Sequence, residues 1–274
     1  MLSEAEVIEV RGIRLAVRRA HGEGAPVMML HGLTDSGACF GRLAAHLVPD
    51  SDVVALDLRG HGLSEAPESG YAAEDHAGDV IGVLQALGMS KVTLLGHSLG
   101  ADVALHAALL RPEWIHCLVM EDPPWSESWT PGRQSELENR QAEWKGGIER
   151  LQAESYEQVL ACGRAEAPDW VDEELEPWAL SKLEFSTHAL SYITTVRPAW
   201  QPRVSALRCP TLLVTGDRSR GGLVSEAMAE EAKRLSPGLE VLHVAGAGHS
   251  IRRDRFDGYL SGLRRFMVHA RRSL

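Results

Sequence analysis

The sequence predicts an α/β fold on a mostly parallel sheet, and three observations carry that prediction. Short apolar runs recur along the chain, amphipathic stretches of helical length lie between them, and the two alternate in regular succession. Strand, helix, strand repetition requires crossover helices, which cover both faces of a parallel sheet. The chain begins differently: Val7–Val10 and Ile13–Val17, joined around Gly12, read as a β-hairpin. The later strand candidates are Val27–Leu30, Val53–Leu56, Val92–Leu95, Leu118–Met120, Thr211–Val214 and Glu240–Val244. Helical candidates fall at Gly37–Leu47, Ala73–Leu87, Ser98–Leu110, Leu223–Leu235 and Arg253–His269. In such sheets ligands bind beyond the carboxyl ends of the strands, so residues just after each run are the ones to search for chemistry.

The alternation stops between Pro123 and Arg203, where the pattern turns helical and charged. This predicts a core of residues 1–124 and 204–274 interrupted by a helical cap, 125–203. The stretch from Pro123 to Arg203 holds six of the seven tryptophans, Trp125, Trp129, Trp144, Trp170, Trp178 and Trp200, and 14 acidic residues against 8 basic ones. An amphipathic lid with acid outside and aromatic surface inside has this composition. Its arginines Arg133, Arg140 and Arg197 read as solvated helix faces that could also meet an anionic substrate.

A chain of 274 residues, 44% hydrophobic, can bury a full core. Its net charge of −10 argues against nucleic acid or an anionic membrane as partner, since both repel an acidic protein. A small-molecule substrate is expected instead, and self-association is left open. Cys39, Cys117, Cys162 and Cys209 form no CxxC pair and read as buried thiols of a reducing compartment. The first twenty residues intersperse Glu4, Glu6, Glu9, Arg11, Arg14, Arg18 and Arg19 with apolar stretches, unlike a signal peptide, and no run suits a bilayer span. A cytoplasmic location is the expectation.

Gly96-His97-Ser98-Leu99-Gly100 follows a strand run and opens a helix, the context in which a GxSxG pattern presents a nucleophile. A serine hydroxyl needs a base to take its proton. His249 follows the last strand on the Gly-rich loop Ala245–Ser250 and is the candidate; His243 lies inside a strand run, and His61 sits on a glycine-flanked turn. The base needs a carboxylate, and Asp217, Glu121 and Asp122 all stand at strand ends, so position alone leaves the three open. An oxyanion needs backbone N–H donors: Leu99 supplies one, and Leu33, in His31-Gly32-Leu33-Thr34-Asp35, the second, with His31 bracing the loop.

With His31-Gly32, Asp57-Leu58-Arg59-Gly60-His61-Gly62-Leu63-Ser64, the GHSLG run and Gly248-His249 in this order after successive strands, the chain resembles the α/β-hydrolase fold family over nearly its whole length outside the cap. The resemblance implies eight strands, a helical cap inserted after the sixth, and a triad of Ser98, an acid and His249. Members with the acid after the seventh strand commonly read G-x-x-D, and here Gly216-Asp217-Arg218-Ser219 places serine at that position. In other branches the acid ends the sixth strand. The matching residue is Asp122, which the resemblance therefore favours, with Asp217 and then Glu121 as alternatives. Haloalkane dehalogenases and epoxide hydrolases of the family carry Asp where this chain has Ser98, which argues against their reactions. The H-x-H-x-D-H cluster of metal-dependent lactonases is missing, so neither metal nor cofactor is expected. The function implied is hydrolysis of a carboxylic ester or lactone of a small, fairly apolar molecule. A carbon–carbon bond hydrolase or cofactor-free lyase is the alternative, followed by an inactive binding module.

Overall fold

The computed structural model describes residues 1–125, 131–196 and 198–271. Eight strands, β1 (Glu6–Val10), β2 (Ile13–Ala20), β3 (Ala25–Leu30), β4 (Ser51–Leu56), β5 (Val92–His97), β6 (Ile115–Glu121), β7 (Thr211–Thr215) and β8 (Leu239–His243), form one sheet in the order β1-β2-β4-β3-β5-β6-β7-β8. The hairpin β1–β2 and the β2–β4 pair are antiparallel, and all remaining pairs are parallel. Every strand candidate of the sequence is present.

Burial on both faces explains why the parallel strands read as unbroken apolar runs. Successive residues point to opposite sides: Met28, Leu30, Leu94, Leu118 and Leu213 join one core, Val27, Met29, Leu95, Val119 and Val214 the other. The second core is closed by α1 (Gly41–Leu47) and the first by α2 (Ala73–Ala86) and α3 (Leu99–Leu110).

Between β6 and β7 lies the cap region: α4 (Pro131–Gln152), α5 (Tyr156–Glu166), α6 (Asp172–Leu183), α7 (Ser191–Thr194) and α8 (Trp200–Ser205). It has a small core of Leu137, Ile148, Phe185, Leu190 and Ile193 with Tyr71, while α8 sends Trp200 and Val204 into the main core. The chain closes with α9 (Glu226–Leu235), α10 (Ile251–Asp254) and α11 (Phe256–Arg271). The expected single helix over Arg253–His269 is thus two, because Arg255 leaves helical backbone at φ −143°, ψ 64°. Among the described residues no helix is long and apolar enough to cross a membrane.

Two expectations about the cap are corrected. Its tryptophans do not all face one way: Trp200 stacks on Trp125 at 4.4 Å with planes 6° apart, and Trp170 donates to Asp254 Oδ1 at 2.8 Å. Trp129 lies outside the described residues. Nor is all the charge outward, since Glu174 and Lys182 of α6 are buried. Lys182 Nζ donates to Thr34 O at 2.7 Å, Thr34 Oγ1 at 2.9 Å and Asp35 Oδ1 at 3.2 Å. Arg253 pairs with Asp35 Oδ2 at 3.1 Å and with Glu174 Oε2 at 3.2 Å. Two buried acids therefore meet two buried bases and join the cap to the loop after β3 and to α10. The thiols differ too: Cys39 and Cys117 are buried, but Cys162 on α5 is exposed, because helix α5 buries little beyond Val159 and Gly163.

Breaking a buried pair strands its partner's charge, which typically costs about 3–5 kcal/mol, whereas an exposed helix pair contributes about 0.3–0.5 kcal/mol. Arg253→Met is therefore expected to lower the unfolding free energy by about 3–5 kcal/mol in urea titration, and Lys145→Met, which removes the exposed Lys145–Glu149 pair, by less than about 1 kcal/mol.

Candidate active site

The site forms where parallel strands end. The last paired residues of β5 and β6 are His97 and Glu121, so Ser98 and Asp122 follow side by side. Ser98 N donates to Glu121 O at 2.9 Å, and Asp122 N to Val214 O on β7 at 2.9 Å. Both residues then leave extended backbone, Ser98 at φ 51° and Asp122 at φ 44°. Thr34, beside Leu33, sits at φ 69°, so three of the five described non-glycine residues with positive φ meet here. Such conformations cost about 1–3 kcal/mol each and persist where the surroundings over-determine them. At Ser98 the surroundings are two glycines: a Cβ on Gly96 would stand 2.1 Å from Gly100 O, and one on Gly100 would stand 2.0 Å from Leu30 O.

Asp122 is fully buried, and its carboxylate accepts three bonds: His249 Nδ1 at 2.7 Å, Leu223 N at 2.8 Å and Val224 N at 3.0 Å. The segment after β7 thus serves the acid through its backbone, and Ser219 is exposed. The Asp217 carboxylate is committed elsewhere, to His243 Nε2 at 3.1 Å and Gly246 N at 2.7 Å, while its backbone O caps the following turn by accepting Arg220 N and Gly222 N. Glu121 accepts Arg252 N at 2.9 Å and Arg252 Nη1 at 3.3 Å, with both residues fully buried. Neither alternative carboxylate is bonded to His249.

With Nδ1 facing the carboxylate, His249 lines, with Ser98, Leu33 and Leu99, a cavity of about 520 Å³ under the cap. Among the described residues nothing accepts the N–H of Leu33 or Leu99. His243 is half exposed and bonded to Thr215 and Asp217. His31 and His61 are buried, with ring centroids 4.8 Å apart and planes tilted by 57°. His31 Nε2 accepts Leu58 N at 2.9 Å, so its Nδ1–H donates to Gly32 O at 2.8 Å and the ring is neutral. Burial above all lowers His31 to about 4; burial and then the charge of His31 lower His61 to about 3.

Sequence reasoning missed several residues. His97 Nε2–H donates to the backbone O of His249 at 3.1 Å, tying the strand before Ser98 to the loop that carries the imidazole. Tyr192, Arg218 and Met228 join the cavity wall, beside the cap tryptophan Trp125 expected there. Arg133 and Arg140 line the cavity, and Arg140 is exposed as well, so the solvated helix face and the cavity wall coincide there, while Arg197 lies outside the described residues. A His97 contact across the chain has no local signature, but α4 holds one: Arg133, Leu137, Arg140 and Trp144 recur at spacing that shares a helix face.

Residues 25–252 match the model of the alpha/beta hydrolase fold family. The chain is 33% identical over 258 residues to 2-(acetamidomethylene)succinate hydrolase of Mesorhizobium japonicum, an alignment that spans 89% of this chain and 88% of the relative. It is 28% identical to N-formylmaleamate deformylase of Pseudomonas putida, over 96% of each. The crystal structure of an E-2-(acetamidomethylene)succinate hydrolase superimposes with a TM-score of 0.79 at 26% identity, covering 97% of this chain and 99% of that one.

The neutral histidines behind the Leu33 loop set a pH dependence of stability. Unfolded, each takes a proton near 6.5; folded, only near 4 and 3. Between these limits the unfolded chain holds more protons, so stability falls as pH drops, by about 1.4 kcal/mol per pH unit for each histidine. Urea titrations from pH 7 to pH 4.5 are expected to show this decline, with a shallower slope in His61→Gln; a flat profile contradicts it.

Proposed function

Because the chain belongs to the alpha/beta hydrolase fold family, we propose that it is a serine hydrolase that cleaves an acyl bond of a small molecule through an ester intermediate on Ser98. The observation that carries the reading is the 2.7 Å contact of His249 Nδ1 with the buried Asp122 carboxylate, in a cavity that Ser98 also lines. Held by Asp122, His249 turns Nε2 to Ser98 and takes the hydroxyl proton as Oγ attacks the acyl carbon. The carbonyl oxygen gathers negative charge and accepts the Leu33 and Leu99 N–H groups, each worth about 10² to 10³ in rate by the usual effect of removing one donor. Collapse breaks the bond to the leaving nitrogen or oxygen, which receives the proton from His249. Water, deprotonated by the same imidazole, then attacks the acyl-serine and releases the carboxylic acid and free Ser98.

The scissile bond in this proposal is an amide. Two relatives that span most of the chain are named for an acetamido compound and for removal of an N-formyl group. An amine departs only if protonated, and His249 is positioned beside Asp122 to deliver that proton. An ester or lactone is the second reading, favoured by the apolar side chains Leu137, Ile193, Met228, Trp125 and Trp144 in the cavity wall. Carbon–carbon bond hydrolysis on the same residues is the further alternative.

The reading is tested by hydrolysis of N-acyl and ester substrates of graded size. Ser98→Ala is expected to abolish turnover, and Asp122→Asn to lower it by about 10⁴, because the amide side chain fixes the wrong imidazole tautomer. Asp217→Asn is expected to lose far less. Undiminished turnover in Ser98→Ala, or a larger loss in Asp217→Asn than in Asp122→Asn, overturns it.

A further inference from the structure

The cavity has a charge balance opposite to that of the chain. The protein carries −10, yet among the described residues the cavity wall holds Arg133, Arg140 and Arg218 and neither Asp nor Glu. Arg133 and Arg140 lie two turns apart on α4 with Leu137 between them and Trp144 one turn further on, a single stripe of basic and apolar side chains. The acidic residues of α4 include Glu136, four before Arg140, the spacing from which helix ion pairs form. That pair is not made, and Arg140 bonds to none of the described residues. Arg218 comes from the other side of the cap insertion, after β7. Its Nη1 donates to Gly222 O at 2.8 Å and Leu223 O at 2.7 Å, and Leu223 N is one of the donors to Asp122. This guanidinium is therefore fixed relative to the acid of the site while its remaining N–H donors stay available.

Guanidinium groups grip carboxylates through paired hydrogen bonds, and a cavity wall concentrates their field. We infer that the substrate bears a carboxylate, bound by Arg140 and Arg218 while Ser98 faces an acyl carbon elsewhere in the same molecule. The inference rests on the acyl-hydrolase reading for the reaction but not for the binding. The leucine, tryptophan and isoleucine side chains of the same wall accept a short hydrocarbon spacer, so the class is a small acylated carboxylic acid, with the charged end recognised by the cap and the β7 segment together.

Two measurements test it. In the first, succinate is titrated calorimetrically into the Ser98→Ala protein, where no chemistry occurs. Binding is expected, weakening with added salt and by about ten- to a hundred-fold when Arg140→Gln or Arg218→Gln is added. Arg150→Gln, on the same helix outside the cavity wall, leaves it unchanged. In the second, kcat/KM for p-nitrophenyl hemisuccinate is divided by that for neutral p-nitrophenyl butyrate. The ratio is expected to exceed one and to fall about ten- to a hundred-fold in the same two variants. Succinate binding that ignores both arginines, or absent binding with a ratio near one, overturns the inference. Arginine-dependent succinate binding in a protein that cleaves no acyl bond keeps it and overturns the hydrolase reading instead.

Discussion

The site depends on one register, that of β5 against β6. Because His97 pairs with Glu121, the next residue on each strand emerges at the same height, one strand spacing apart, about 4.8 Å. Those residues are Ser98 and Asp122, and each turns sharply into positive φ. A shift of one residue in either strand would exchange the faces of every side chain beyond it, sending Glu121 toward the cap and Asp122 toward the core. The imidazole must then arrive from β8, two strands beyond β6. Its loop is held by Arg252 N on Glu121, by His97 on the His249 carbonyl, and by Gly248 N on Asp254 Oδ2 at 2.7 Å.

The cap is joined to this frame by charge. Asp35, Lys182, Arg253 and Glu174 are all buried and mutually paired. A second junction links Asp102, in the first turn of α3, to Tyr192 Oη at 2.9 Å and Arg203 Nη1 at 2.7 Å. Buried ion pairs add little stability over apolar packing, yet removing one member is costly, so they act chiefly to exclude other arrangements. Their placement suits that: Asp35 and Thr34 belong to the loop of Leu33, Asp102 to the helix that begins after Ser98. The cap thus sits in register with both backbone donors proposed for the oxyanion, and the cavity between them keeps its shape.

Much of this was legible in the chain. Apolar runs buried on two faces mark the strands β3 to β7, and the GHSLG run and Gly248-His249 stand just beyond strand ends, where a parallel sheet exposes side chains. The carboxylate was harder, since Glu121, Asp122 and Asp217 all satisfy that rule. What separates them is long-range: backbone N–H groups of Leu223 and Val224 converge on Asp122, Arg252 neutralises Glu121, and His243 with Gly246 N takes Asp217. No spacing encodes those meetings. The cap was misread for a related reason. Composition gives its charge but not its faces, so a reading with acid outside passes over the burial of Glu174 beside Lys182. The i, i+4, i+7, i+11 stripe on α4 is present in the sequence, but only the packed helix reveals which stripe faces inward.

The central claim is that Ser98 becomes acylated during turnover. Rapid quenching within milliseconds of mixing with an activated acyl substrate, followed by peptide mass analysis, tests it most directly. The account predicts a transient mass increase equal to the acyl group on the peptide that contains Ser98, decaying as free acid appears and missing from Ser98→Ala. Turnover without an adduct, or an adduct on another residue, would contradict it.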